Sequence, residues 1–309
     1  MKMGNQRNAY GEALVELGKT NKDIVVLEAD LSKSTMGRMF GDQYPDRYYE
    51  MGIAEANMAS TAAGLSLTGK IPFMASFAVF TTGRCYDQIR TSICIPSLNV
   101  KICGASAGMS DFGDGSTHQT VEDIATMRVL PNMQVFCPAD ASEATRIIKY
   151  MAANKGPMYL RLNRMEVPEI SASEPFVPGK VYTLKDGKDV AIFATGIMVS
   201  KALEAAEQLE KAGVSAKVVN VPSIKPIDSA QVAEVAKSVK AIVTAEEHSV
   251  LGGLGGLICE IVSELAPRKI VRVGVQDKFG SSAQDYDTLL NAYGLTAESI
   301  VNAAKEALK

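Results

Sequence analysis

The sequence predicts an α/β protein of two three-layer domains, each a mostly parallel sheet flanked by helices. The chain has 309 residues, more than the roughly 250 to 300 at which a single hydrophobic core stops growing. Short β-branched runs alternate with longer helical patterns, which is the rhythm of parallel sheets wrapped by helices. A Pro-rich stretch, EPFVPGK at 174–180, separates two such cycles.

The predicted strands are short apolar runs rich in branched or aromatic residues. Those of the first cycle are IVVLEAD, IPFMASF, VKICGAS, MQVFCPA and MYLRL, with a helix EANMASTAAGLSL between the first two. Those of the second cycle are DVAIFAT, AKVVNVP, AIVTAEE and KIVRVGV, with a helix from about 198 to 212. We therefore expect a first domain at 1–172, a linker at 173–186 and a second domain at 187–309.

Composition argues against several classes of function. With 47% hydrophobic residues, a net charge of -3 and no basic arm, the chain gives no reason to expect nucleic acid or a membrane surface as partner. No apolar run reaches the roughly 18 residues of a membrane span, so we expect a cytoplasmic protein. Five cysteines without CxxC spacing favour buried thiols over disulfides or zinc, with a reactive Cys103 as the alternative.

Polar and glycine-rich segments follow several predicted strands. The segment 104–118 carries Gly104, Gly108, Gly113 and Gly115. It is longer than the median connection of roughly 4 to 6 residues. Because ligands in open α/β sheets bind at the carboxyl ends of strands, these segments are the first place to look for a site.

Four segments together resemble the transketolase family. They are GIAEANM at 52–58, FAVFTTGRCYDQIR at 77–90, GDGSTHQTVEDIATMRVLPNMQVFCPAD at 113–140 and EEHSVLGGLGG at 246–256. The resemblance covers nearly the whole chain and is to the C-terminal portion of a transketolase, encoded as a separate subunit. It implies a pyrimidine-binding domain at 1–172 and a transketolase C-terminal domain at 187–309.

The resemblance also implies a cofactor and a partner. The cofactor would be thiamine diphosphate, with its pyrimidine side on this chain. An N-terminal transketolase subunit would supply the diphosphate-binding half, including Mg²⁺ or a similar divalent cation. We expect a heterotetramer of two chains of each kind, since two-fold closure suits a site shared between subunits.

The tripeptide Gly113-Asp114-Gly115 could be mistaken for the family's metal motif. That motif is a GDG followed much later by a pair of asparagines, which hold magnesium through oxygen ligands. Here Asn132 comes too soon, and the continuation STHQTVED resembles the family segment that contacts substrate. We therefore expect no metal site on this chain.

The resemblance assigns Glu55 a catalytic role. Its carboxyl group would hydrogen-bond the pyrimidine N1′ and favour the imino tautomer of the amino group that deprotonates thiazolium C2. Phe77, Phe80 and Met74 would pack against the pyrimidine ring, and Asp30 would lie near the thiazolium. The plain alternatives are a helix-start acid for Glu55, core packing for Met74 and a turn-capping acid for Asp30.

Asp114 and His118 are the expected contacts of the donor-sugar hydroxyls. His118 is also a candidate for moving a proton at the substrate oxygen. Ser106 stands where many transketolases have another histidine, so the preferred donor sugar stays open. His248, in the second domain, is expected to be structural or at an interface.

Three residues resemble the family's phosphate-binding positions. They are Arg164, Ser34 and Arg7, and arginine suits this task because its planar fork matches phosphate oxygens. Arg164 follows the strand MYLRL, whereas Arg161 lies within that strand and is expected to form a structural ion pair.

The implied reaction is transfer of a two-carbon ketol unit between sugar phosphates, as in the pentose phosphate pathway. GDGSTHQ together with Arg164 favours a sugar phosphate over a 2-oxoacid. Three alternatives stay open. They are another split thiamine enzyme, chiefly the beta chain of a 2-oxoacid dehydrogenase, the fused relative deoxyxylulose phosphate synthase, and a non-catalytic interaction subunit.

Overall fold

The computed structural model describes residues 2–171 and 173–309. The predicted end of the first domain, Ala172, lies outside the described residues, as does Met1. Within those ranges, no helix combines the length and the apolar character needed to cross a bilayer.

The first domain runs from an N-terminal strand to a short strand that pairs with it. Its elements are β1 (Met3–Asn5), α1 (Gln6–Thr20), β2 (Ile24–Glu28), α2 (Ser32–Thr35), α3 (Arg38–Gln43), β3 (Tyr48–Glu50), α4 (Glu55–Leu67), β4 (Ile71–Phe77), α5 (Ala78–Gly83), α6 (Tyr86–Gln88), β5 (Lys101–Ala105), α7 (Asp123–Arg128), β6 (Gln134–Phe136), α8 (Ala141–Ala153), β7 (Met158–Arg161) and β8 (Glu166–Pro168). A π-helical segment, Ile89–Cys94, follows α6, and 3-10 turns occupy Pro45–Arg47 and Gly115–Thr117.

The second domain alternates strands and helices to the C-terminus. Its elements are β9 (Tyr182–Lys185), β10 (Val190–Ala194), α9 (Met198–Lys211), β11 (Ala216–Asn220), β12 (Ser223–Lys225), α10 (Ser229–Lys237), β13 (Ala241–Ser249), α11 (Leu254–Leu265), β14 (Lys269–Val275), α12 (Tyr286–Ala292) and α13 (Ala297–Ala307).

The first sheet has the order β12-β6-β7-β5-β4-β2-β3. Its pairs are parallel except that of β12 with β6. Every residue of β2 and β5 is buried, which explains their nearly continuous apolar sequences, because helices cover both faces of such a sheet. One core lies on the side of α1 and α8 and another on the side of α4.

The second sheet has the order β14-β13-β10-β11-β9, parallel except for the antiparallel edge strand β9. Together the two sheets confirm the predicted α/β class. Strand β9 falls inside the predicted linker, 173–186, so the second sheet already begins within that segment.

The two domains share one hydrophobic core. Strand β12, which follows β11 in sequence, crosses over and extends the first sheet at β6. The core on that side contains Met74 and Ile102 of the first domain together with Phe193 and Val219 of the second. The packing of one domain therefore depends on the presence of the other.

Buried polar contacts join the domains as well. Arg161 Nε donates to Asp123 Oδ2 at 2.8 Å, and Arg161 Nη2 donates to the carbonyl oxygen of Glu247, also at 2.8 Å. His248 is fully buried, and its Nε2 accepts a hydrogen bond from the backbone N–H of Ala125 at 3.3 Å. Arg161 thus forms the structural ion pair expected of it, and His248 lies at the interface between the domains.

We expect the Asp123→Ala variant to lose about 3 to 5 kcal/mol of unfolding free energy, because removing one partner leaves the Arg161 cation buried. The two side chains are only 0% and 5% exposed. Urea unfolding followed by circular dichroism would measure the loss.

The control is Asp186→Ala, which breaks an ion pair with Lys217 in which Asp186 is 85% exposed. Exposed pairs contribute little, so this variant should unfold like the wild type. Equal losses of unfolding free energy in Asp123→Ala and Asp186→Ala would contradict the stabilising role assigned to the buried Arg161–Asp123 pair.

Candidate functional site

A pocket of about 200 Å³ lies at the carboxyl ends of strands β2 and β4. Parallel strands bring their carboxyl ends to one edge of the sheet, and the loops that follow them line the pocket. The lining residues are Ala29, Asp30, Leu31, Ile53, Glu55, Phe80, Arg84 and His118.

Glu55 is the first residue of α4, and its side chain is 4% exposed. Its Oε1 accepts a hydrogen bond from Arg84 Nη1 at 3.0 Å. Among the described residues, Oε2 has no hydrogen-bond donor. One carboxylate oxygen that lines the pocket therefore remains available to a ligand.

Aromatic rings lie next to this carboxylate. The rings of Phe77 and Phe80 stack with centroids 6.1 Å apart, and the ring of His118 meets the Phe80 ring edge-on at 5.3 Å. The guanidinium carbon of Arg84 lies 4.0 Å from the Phe80 ring centroid. Phe80 and His118 line the pocket, while Phe77 is 4% exposed and supports Phe80 from behind.

The structure does not bring Met74 to this pocket. Its side chain is fully buried in the core on the α4 side of the sheet, where Ala59 and Ile89 also lie. Successive side chains of a strand point to opposite faces, and β4 directs Met74 into that core. Met74 is therefore a core residue rather than part of the pocket lining.

Asp30 lines the pocket from a strained turn after β2. Its φ of 61° lies in the left-handed region, which aspartate tolerates better than most residues. Its backbone N–H donates to Glu50 Oε1 at 2.7 Å. The backbone of Asp30 is thus held at the rim of the pocket, and the residue is exposed.

The predicted phosphate ligands lie close together. Arg7 Nη1 donates to the carbonyl oxygen of Ser34 at 2.8 Å, and Arg164 Nη1 forms an ion pair of 2.7 Å with Asp111 Oδ1. Burial and the nearby charge of Arg164 lower the pKa of Arg7. Arg164 pairs with the buried Asp111 carboxylate, whereas Arg7 has only a backbone carbonyl as its acceptor among the described residues, which leaves cationic capacity for an anion.

Asp111 connects this cationic end to the pocket. It is 2% exposed, and burial raises the pKa of its carboxyl group. The neighbouring Arg164 opposes that shift, the carboxyl group of Asp114 reinforces it, and His118 opposes it weakly. Asp114 and Arg164 therefore lie close to Asp111, and His118, which lines the pocket, lies near enough to act on its carboxyl group.

Sequence reasoning missed Arg84 and Asp111. Arg84 lies four residues after Phe80, a spacing that places two side chains on the same face of a helix, so this signal was present in the sequence. Asp111 precedes Asp114 by three residues in a loop. Only the fold shows that it lies against Arg164.

Cys103 is fully buried in β5. Burial, helped by the nearby Glu28, raises the pKa of its thiol well above the usual range. A reactive thiolate needs the opposite environment, exposed and electropositive. Cys103 is therefore a structural thiol.

The described residues contain no group of three or more His, Cys, Asp or Glu side chains that could hold a metal ion. Asp114 lies near Asp111 and reinforces the raised pKa of its carboxyl group.

Fold and site together define a two-domain α/β subunit with a carboxylate and an aromatic ring at a strand-end pocket. Residues 3–169 match the model of the transketolase pyrimidine binding domain, and residues 179–300 match that of the transketolase C-terminal domain. The chain belongs to the transketolase family and corresponds to its C-terminal portion.

Several proteins resemble the chain along most of its length. A Methanocaldococcus jannaschii protein named as a candidate transketolase C-terminal section is 44% identical, covering 98% of this chain and 96% of its own. A 6-deoxy-6-sulfo-D-fructose transketolase subunit, SqwH, of a Clostridium species is 42% identical, covering 97% and 93%. A solved structure described as a split gene transketolase, inactive beta4 tetramer, is 51% identical with a TM-score of 0.90, covering 99% and 98%.

Replacing Arg84 by Met should lower the unfolding free energy by about 1 kcal/mol, because the buried Glu55 carboxylate loses its hydrogen-bond donor. The loss is small because Arg84 is 49% exposed. The same replacement in a Glu55→Gln background should cost clearly less, as a double-mutant cycle would show.

Arg90→Met is the control, since Arg90 is exposed and forms no ion pair among the described residues. Arg90→Met should change the unfolding free energy by the same amount in the wild-type and Glu55→Gln backgrounds. If Arg84→Met also gives equal changes in the two backgrounds, Arg84 and Glu55 are not coupled.

Proposed function

We propose that the chain is the C-terminal subunit of a thiamine diphosphate-dependent transketolase that transfers a two-carbon ketol unit between sugar phosphates. The observation that carries the proposal is a pocket lined by Glu55, Phe80 and His118, in which His118 is also near enough to act on the Asp111 carboxyl group that pairs with Arg164. A cofactor ring, a sugar and a phosphate would meet these groups in that order.

The pocket fits the pyrimidine end of the cofactor. A flat heteroaromatic ring can stack on Phe80 while Glu55 Oε2 holds a proton at a ring nitrogen. Arg84 covers the Phe80 ring, and this half-exposed side chain can move into solvent as a ring enters. The chemistry that thiamine diphosphate supplies when bound is a nucleophilic carbon and a sink for negative charge.

Residues of this chain would also bind and orient the sugar. His118 lines the pocket, so its ring can give or accept a proton at a substrate oxygen. Asp114 accepts hydrogen bonds from sugar hydroxyls. Arg164 and Arg7 bind the terminal phosphate. Without substrate, the Asp111 carboxylate is the anion that pairs with Arg164.

The size of the pocket supports a site completed by a partner. Pockets that enclose a drug-sized ligand measure roughly 300 to 1,000 Å³, and this one measures about 200 Å³. It can therefore hold a ring but not the diphosphate. We propose that a separate N-terminal subunit supplies the diphosphate-binding half and its divalent cation, in an assembly of two chains of each kind.

Glu55→Gln should reduce ketol transfer by about 10² to 10⁴-fold, the usual contribution of a general acid-base group. The experiment reconstitutes this chain with its N-terminal subunit and measures transfer from xylulose 5-phosphate to ribose 5-phosphate. Glu12→Gln, at an exposed position on α1, is the control and should leave the rate unchanged.

Two results would overturn the proposal. Unchanged turnover in Glu55→Gln would remove Glu55 from the mechanism. Pyruvate decarboxylation by the wild-type pair, without ketol transfer, would identify the chain as the beta chain of a 2-oxoacid enzyme.

Arg164→Met should raise KM for a phosphorylated acceptor by about 10 to 100-fold, because a charge-assisted hydrogen bond to the phosphate is lost. KM for the same sugar without phosphate should change little. Arg146→Met is the control, since Arg146 bonds Ser171 rather than any site residue. A KM increase of the same size for both sugars would show that Arg164 does not bind the phosphate.

A further inference from the structure

The carboxylate of Glu247, in the second domain, reaches into the substrate end of the site. Glu247 lies in β13 and is 2% exposed. Its Oε1 accepts a hydrogen bond from the backbone N–H of Met109 at 2.8 Å, and its Oε2 accepts one from Asn163 Nδ2 at 3.1 Å. One side chain therefore holds two separate segments of the first domain.

Each of these two segments carries one member of the Asp111–Arg164 ion pair. Met109 lies two residues before Asp111 in the glycine-rich loop, and Asn163 directly precedes Arg164. The segments also touch each other, since Arg164 N donates to Ser110 Oγ at 3.2 Å. The position of the Glu247 carboxylate thus fixes the spacing between Arg164, proposed to bind the phosphate, and the loop that carries Asp114 and His118, proposed to bind the sugar.

Glu247 is itself held firmly. Tyr286, in α12, donates from its hydroxyl to Glu247 Oε1 at 2.6 Å and accepts from Asn163 Nδ2 at 2.9 Å. Arg161 Nη1 lies 3.9 Å from Glu247 Oε2. A buried carboxylate with this many partners has one position rather than several.

The Glu247 carboxylate also lies very close to the backbone of the loop at Gly108. The Gly108 φ of +66° already favours glycine, and a Cβ atom there would lie 2.3 Å from the carboxyl carbon of Glu247. The loop can follow its path past Glu247 only with hydrogen at this position.

We propose that Glu247 is a positioning residue for the reaction, through which the second domain sets the geometry of the substrate-binding loop and of Arg164. The inference rests on the proposed function, because it concerns the binding of the sugar phosphate. It gives the second domain a part in substrate recognition even though none of its residues lines the pocket beside Glu55.

The test compares Glu247→Gln with Glu246→Gln. Glu246 is the adjacent residue, is 0% exposed, and accepts hydrogen bonds from Leu254 N and Gly255 N at the start of α11. Each substitution places an NH₂ group against existing donors. Only Glu247 contacts the loop, so any difference in substrate binding between the variants reports on positioning.

In the reconstituted enzyme, Glu247→Gln should raise KM for the sugar phosphate about tenfold or more, with kcat nearly unchanged, because Met109 N and Asn163 Nδ2 no longer share a carboxylate that accepts from both. In the chain alone, amide hydrogen exchange of residues 106–112 should become about tenfold faster or more. Glu246→Gln should leave both quantities as in the wild type.

Gly108→Ala tests the same contact without altering the second domain, and it decides the matter if Glu247→Gln fails to fold. It should reproduce the KM increase. Gly69→Ala is its control, because Gly69 has a φ of +88° with nothing within 4 Å of an added Cβ. An unchanged KM in Gly108→Ala, or equal KM increases in Glu246→Gln and Glu247→Gln, would overturn the inference.

The exchange measurement separates failure of this inference from failure of the proposed function. If the wild-type pair transfers no ketol unit, the function is wrong, whatever residues 106–112 show. If transfer occurs, but Glu247→Gln has the wild-type KM and the wild-type rate of amide hydrogen exchange at residues 106–112, the proposed function is retained and the positioning role of Glu247 is wrong.

Discussion

Arg161 is buried where the two domains meet, and its guanidinium lies between Asp123 of the first domain and Glu247 of the second. Taking a cation out of water costs several kcal/mol, which only well-placed partners can offset. Neither domain supplies all of those partners alone. The charge of Arg161 therefore favours one arrangement of the domains, and the shared apolar core then packs around that arrangement.

The same junction determines where the proposed substrate-binding end of the site lies. Arg161 ends β7, and the chain continues directly through Asn163 to Arg164. Glu247 contacts Arg161 and Asn163 within one buried network. Arg161 and the proposed phosphate ligand Arg164 are thus only three residues apart in sequence, so a disturbance of domain packing reaches Arg164 without passing through the pocket beside Glu55.

Local pattern predicted most of the fold but only part of the site. The helix α4 begins and ends where the sequence places it, because its apolar spacing and its flanking turns act locally. The sequence left Met74 open between the pocket and the core, because a resemblance does not show to which face of β4 a side chain points. Asp111 and the crossing of β12 to the first sheet depend on contacts between segments distant in sequence, which no local pattern records. Arg84 could have been found from its helical spacing after Phe80.

Contacts with the second domain explain two of the glycines in the segment 104–118. The number of glycines in this segment suggested a functional loop, and Gly113-Asp114-Gly115 had the form of a metal motif. In the structure, a Cβ at Gly115 would lie 2.4 Å from Ser282 Oγ, as one at Gly108 would meet Glu247. Ala283 N donates to Phe112 O at 2.9 Å, in the same region. The glycines allow the second domain to approach this loop closely, so the loop that carries Asp114 and His118 takes its shape from both domains.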